Sequence, residues 1–150
     1  MSAAFCGLRS GFFGALLRAR RKRRAIRDYV RYLPRLLARS YGVSPTYTPG
    51  QIKSAINRSG LDADYSCYAL AMYSGRDNFD QYHGSTGEDC DYDAMREEVA
   101  HQHFHGHADF TIRDAADLSS NDAGAAADAL THGGGHTGGF EASADSGHGH

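Results

Sequence analysis

No run of this 150-residue chain approaches the roughly 20 consecutive apolar residues that a bilayer-spanning helix requires, so no transmembrane segment is expected. The order of a secretory signal is missing too. Such a signal places basic residues before its apolar stretch, whereas here Phe12, Phe13, Leu16 and Leu17 precede the cluster Arg18, Arg20, Arg21, Lys22, Arg23 and Arg24. An arginine-rich start with almost no acid does share its composition with organelle transit peptides, which would require a eukaryotic source. Cysteine is scarce: Cys6, Cys67 and Cys90 are odd in number and lack the paired spacing of a zinc finger, which reads as cytosolic thiols. Tryptophan is absent, and aromatic mass comes from nine tyrosines and seven phenylalanines, most of them before residue 111.

Motifs that organise common chemistry are also missing. There is no phosphate loop, dinucleotide fingerprint or GxSxG elbow, so nucleotide and acyl-transfer machinery have no foothold and an enzyme is the poorer reading. Asp89, Asp91 and Asp93 have the one, three, five spacing of a calcium loop. Ala94 stands where glycine must turn, however, and Ala100 where a bidentate glutamate must coordinate. The Asp62, Asp64, Ser66 series fails likewise at Cys67 and Tyr73, so these acids are expected to cap helices.

What is present is a charge asymmetry hidden by a formal net charge of -2. Residues 1–60 hold 13 of the 16 lysines and arginines and one acid, Asp28; the remaining 90 residues hold 17 of the 18 acids. The two halves should attract each other. The basic front would also suit lipid headgroups or nucleic-acid phosphates.

Hydrophobic spacing predicts an all-α fold, a small bundle of four to five short helices. Leu16, Ile26, Tyr29, Val30, Leu33 and Leu37 recur mostly at spacings of three and four between Gly11 and Tyr41, with Pro34 predicting a kink or a junction of two helices near Leu33. Thr48, Pro49 and Gln51 make a capping box for a second helix ending near Ser59, with Gly60 as its cap. YSCYALAMY, capped by Asp62 or Asp64, is apolar around most of its circumference and should be the core helix. A short helix carrying Phe79, Tyr82 and His83 is expected to stop at Gly84. Asp89 or Asp91 should cap a fifth, with Tyr92, Met95, Val99 and His103 inward and Arg96, Glu97 and Glu98 facing water. The expected division is a basic amphipathic extension over 1–24, a helical domain over 25–104 and a disordered tail over 105–150, where Leu118, Leu130 and Phe140 are too sparse to repay the entropy of ordering.

The segments RYLPRLLARSYG, YTPGQI, YSCYALAMY and CDYDAMREE resemble a small uncharacterised bacterial family, a domain of unknown function, over roughly residues 25–104. The resemblance implies a bacterial cytosolic protein and brings no activity, cofactor or site residue.

Three functional readings follow. The first is a non-enzymatic adaptor that docks on an anionic surface, membrane rather than nucleic acid, through Phe12, Phe13, Arg20, Arg21, Lys22, Arg23 and Arg24. A cytoplasmic location, peripheral at the membrane, would suit it. Residues 25–41 should instead pack on the core, their arginines paired with later acids. The second reading is binding of Zn, Ni or Cu by the alternating histidines His101, His103, His105 and His107, with His132, His136, His148 and His150 extending the composition. The third is a thiol enzyme using Cys67 with His83 as base, against which a simply buried thiol is the ordinary outcome. Cys90, between Asp89 and Asp91, lies in an anionic setting that opposes a thiolate. The helix pair around Gly60 has helix-turn-helix spacing, but its second helix lacks base-reading side chains.

Overall fold

The computed structural model describes the backbone of residues 6–131 and the side chains of residues 13–122. Those residues form six helices: α1 (Cys6–Tyr41), α2 (Pro49–Arg58), α3 (Ser66–Tyr73), α4 (Arg76–Thr86), α5 (Tyr92–His103) and α6 (Ile112–Thr131). There is no strand among them, and no described helix is long and apolar enough to cross a membrane.

The fold is built around α1, whose inward stripe of Ala25, Ile26, Tyr29, Val30, Leu33 and Leu37 is buried against α2, α3, α5 and, most extensively, α6. Each large side chain taken fully out of water along this stripe contributes about 1.5–3 kcal/mol. Pro34 does not divide the helix. It is itself buried within an unbroken α1, where the packed residues on either side hold the helical path that the missing N–H weakens.

Local chemistry sets the next boundaries as expected. Thr48 accepts from the Gln51 amide at 3.2 Å while the Gln51 side chain accepts from the Thr48 amide at 3.0 Å, closing the capping box ahead of Pro49. Ile52, Ala55 and Ile56 form the buried stripe of α2. Five successive residues of α3, Ala69 to Tyr73, are buried, which makes it the core helix. Neither Asp62 nor Asp64 caps it as expected: the N-cap is Tyr65, without a side-chain bond, and both carboxylates pair with Arg21. Asp91 caps α5, accepting from the Ala94 amide.

Three further expectations are corrected. Helix α4 runs through Gly84 and ends at Gly87, whose φ of 71° forms a left-handed cap; Gly84 keeps helical geometry and terminates nothing. Arg96 does not face water. Its Nε donates to the Ala108 carbonyl at 2.9 Å and its Nη1 to the Ala71 and Met72 carbonyls at 3.0 and 3.3 Å, with a further bond to the Phe110 carbonyl, so it ties the end of α3 to the segment before α6. Finally, part of the span read as a disordered tail from residue 105 is helix: α6 lies along α1 with Ala115 and Ser119 buried, Leu118 packed on the core, and the Arg35 guanidinium donating to the Ser119 carbonyl at 3.2 Å. Residues 132–150, including His132, His136, Phe140, His148 and His150, fall outside the described residues.

Candidate metal centre

Four side chains with metal-ligand chemistry converge where α3, α4 and the approach to α5 meet. Cys67 lies in the first turn of α3 and His83 near the end of α4, 16 residues later. Gly87 then reverses the chain in the left-handed conformation, and the non-helical segment before Asp91 carries Glu88 and Cys90 back over the first two. The ligand atoms of Cys67, His83, Glu88 and Cys90 all lie within 4.8 Å of one another.

The individual separations are short. Cys67 Sγ is 3.2 Å from Cys90 Sγ, 3.4 Å from His83 Nε2 and 3.5 Å from Glu88 Oε2, and His83 Nε2 is 3.7 Å from Glu88 Oε2. Tetrahedral zinc, with bonds of about 2.3 Å to sulfur and about 2.0–2.2 Å to nitrogen and oxygen, places its ligands roughly 3.3–3.8 Å apart. The three separations among Cys67, His83 and Glu88 fall in that range, while the two sulfurs, at 3.2 Å, would have to part by about 0.5 Å to share one zinc.

The imidazole is prepared for the role. His83 is buried, and its Nδ1 lies 2.8 Å from the Phe79 carbonyl, which can only accept. Nδ1 thus carries the proton and, in the neutral ring, Nε2 turns its lone pair toward the thiols, the usual arrangement behind a metal-bound histidine. The Phe79 ring, 3.9 Å from the imidazole by centroids, and the Tyr82 ring fix its plane. Cys67 and Cys90 are free thiols of intermediate burial, while the Glu88 side chain is 49% exposed and forms the solvent edge of the site.

Electrostatics favours a cation over nucleophilic chemistry. Burial pushes the Cys67 thiol well up, and hydrogen bonding and charge from Cys90 and Glu88 push it in the same direction. A catalytic thiol needs the opposite influence, so the closeness of His83 to Cys67, which the sequence reading anticipates, does not by itself make a thiolate nucleophile. A divalent cation among these four groups would remove the penalty at its source.

The histidine run is not drawn together in the same way. His101 is exposed on α5; His103, its last residue, is half-buried with Nε2 lacking a hydrogen-bond partner; His105 and His107 are exposed beyond the helix end. Successive left-handed residues, His105 at φ 54° and Gly106 at φ 85°, turn the chain between them.

The basic cluster is divided. Arg21, itself exposed, pairs with Asp62 at 2.6 Å and Asp64 at 2.7 Å, and Lys22 with Glu98 at 2.6 Å, whereas Arg20 and Arg23 are exposed without a close pairing to a later acid among the described residues and Arg24 lies 4.0 Å from Asp28. Among the described residues, pairing with later acids thus occurs before residue 25 and not along 25–41, where Arg27 pairs locally with Asp28. Phe13 is 60% exposed; the Phe12 side chain lies outside the described residues. A cleft of about 860 Å³ between the α1–α2 connection and the start of α6 is lined by Val43, Met72, Tyr92 and Phe110, but its Arg96 is already committed to backbone carbonyls.

No curated protein and no solved structure matches the chain. A family of unknown function (DUF6559) matches residues 17–148, a span that takes in the basic part of α1, the four clustered side chains and α6. The chain belongs to that family, and the likeness to an uncharacterised family seen in the sequence holds over a longer stretch than residues 25–104.

Proposed function

We propose that this protein is a transition-metal-binding helical domain that holds a single zinc-class cation through Cys67 Sγ, His83 Nε2, Glu88 and Cys90 Sγ. The observation that carries this reading is the mutual approach of all four ligand atoms within 4.8 Å. Two thiolates, one imidazole and one carboxylate form a mixed donor set suited to a borderline-soft cation of tetrahedral preference. Hard oxygen-seeking cations such as Mg or Ca have little use for the sulfurs.

A four-ligand shell is closed, the pattern of a structural or regulatory site. Bound metal would clamp α3 to α4 and to the start of α5, closing the chain between residues 67 and 90, and so contribute directly to folding. Glu88, exposed and the only hard donor, is the position at which the cation enters or exchanges. The two thiolates must stay reduced, which suits a cytoplasmic location.

Cobalt(II) titration of the reduced, full-length chain tests the reading. Expected are one equivalent bound, thiolate-to-cobalt charge-transfer absorption and the visible bands of tetrahedral cobalt, with zinc displacing cobalt. Cys67→Ser and Cys90→Ser should each lose the sulfur bands while circular dichroism reports whether the helices persist, and His101→Ala with His105→Ala should change nothing. Absence of sulfur bands in the parent chain, or bands that survive both cysteine substitutions, overturns the assignment.

A further inference from the structure

The face of α1 opposite the core carries a second, independent feature. Phe13, Leu17, Arg20, Arg24, Arg27 and Arg31 follow one another at intervals of four and three residues, which keeps them on one side of a continuous helix. All six are exposed; Phe13 and Leu17 are 60% and 62% accessible, and Leu16 beside them 40%. The stripe ends where Arg35 turns to the Ser119 carbonyl of α6. We propose that this outward stripe of α1 is a docking face for a bilayer surface rich in anionic lipid.

Charge gives the sign of the partner. Along the stripe the only acid is Asp28, 4.0 Å from Arg24 and 3.7 Å from Arg27, so four arginines face one partly covered carboxylate. Arg21 and Lys22 do not add to this field, because Asp62, Asp64 and Glu98 already neutralise them. Sequence clustering alone counts six cations between Arg18 and Arg24; the structure pairs two of them, the exposed Arg21 and the half-buried Lys22, with acids of later segments and extends the outward set to Arg31.

The apolar end distinguishes lipid from nucleic acid. Phosphate-backbone binding uses the arginines and has no role for a phenylalanine and leucines in line with them. A helix lying in the headgroup region uses both, its apolar side chains entering the acyl boundary while the arginines remain among the phosphates. Phe13 and Leu17 precede Arg20, so one end of the stripe would be seated more deeply than the other.

Co-sedimentation of the full chain with phosphatidylcholine vesicles, with and without phosphatidylserine, decides the matter. Binding should require phosphatidylserine and weaken as salt is raised. Arg20→Gln with Arg24→Gln should lower the partition coefficient about 25-fold, on the order of fivefold per arginine. Leu17→Ser should weaken binding at every salt concentration, since its share is not screened. Arg21→Gln, a change in an internally paired cation, should leave partitioning within about twofold of the parent. These surface substitutions should not move the thermal midpoint, which separates lost docking from lost folding. Equal binding to neutral vesicles, no binding to anionic vesicles at low salt, or tighter binding to duplex DNA that is indifferent to Leu17→Ser overturns the proposal; the last result would identify a nucleic-acid surface instead.

Discussion

The guanidinium of Arg96 lies 4.0 Å from the centroid of the Phe110 ring and also donates to the Phe110 carbonyl, so one residue is held by both its ring and its backbone. The same group satisfies the Ala71 and Met72 carbonyls near the C-terminal end of α3, where intrahelical partners run out. Arg96→Lys keeps the charge but loses the planar fork that reaches carbonyls in several directions. We expect a loss of about 2–3 kcal/mol, read as a lower urea midpoint with an unchanged slope. A loss under about 0.5 kcal/mol would show that the bonds are dispensable.

Helix α6 should be as necessary to the fold as the helices it covers. Ala115 is fully buried against the core, so Ala115→Asp places a carboxylate in the interior and should cost about 3 kcal/mol or more. Asp117→Ala, on the exposed side of the same helix, should change stability by less than about 0.5 kcal/mol. Equal thermal midpoints for the two variants would mean that α6 is not part of the cooperative unit.

His103 should make stability fall on mild acidification. Burial, with the charge of Arg27 in the same direction, holds its imidazole below the ordinary histidine range, against a smaller opposing influence from Asp122. A lowered folded pKa favours the neutral ring, so the contribution to stability is complete above the unfolded value of about 6.5 and is lost as pH falls through the lower folded value. His103→Leu removes both the titration and a buried nitrogen without a partner. Chemical unfolding of the metal-free chain between about pH 7.5 and pH 5 should show a steeper decline for the parent than for the variant; parallel curves would disprove the assignment.

The Lys22 and Glu98 pair should couple energetically where a rim pair does not. Burial tends to raise the Glu98 carboxyl, but hydrogen bonds from Lys22 and Tyr68 outweigh it and hold the group below its ordinary range. Both side chains of the pair are 32% exposed, against 50% and 68% for Arg76 and Asp93. A double-mutant cycle over Lys22→Met and Glu98→Gln should return about 1 kcal/mol, and one over Arg76→Met and Asp93→Asn less than about 0.5 kcal/mol. The reverse order would refute the ranking by burial.

Local signals in the sequence are reliable here where a backbone group needs a partner. The box at Thr48 and Gln51, the cap at Asp91 and the apolar α3 are all legible because each follows from hydrogen bonds or burial within a few residues. Pro34 misleads because its cost is local while its compensation, the burial of Tyr29, Val30, Leu33 and Leu37, is tertiary. Residues 112–122 mislead in the other direction: small Ala115 and Ser119 look too slight for a core, yet their size lets α6 lie against α1. The clustered cysteines, histidine and glutamate are half visible. Cys67 and His83 can be paired from helix spacing, but Cys90 looks merely anionic until the reversal at Gly87 supplies the missing geometry. The four histidines make the converse case: adjacent in sequence, with His103, His105 and His107 lining one shallow cleft, they do not form the kind of close ligand cluster seen at Cys67 among the described residues.

An uninterrupted α1 also means that its two faces share one phase. The azimuth of Arg20 and Arg24 around the axis is locked to that of Ile26, Tyr29 and Leu33, which cannot rotate without leaving the core. A single residue inserted after Arg24 would turn everything before it by about 100°, swinging Phe13 and Leu17 out of line with Arg27 and Arg31 while leaving composition and charge untouched. The spacing of this helix is therefore a constraint separate from its residue content, and whatever meets its outer face meets the whole domain in one fixed orientation.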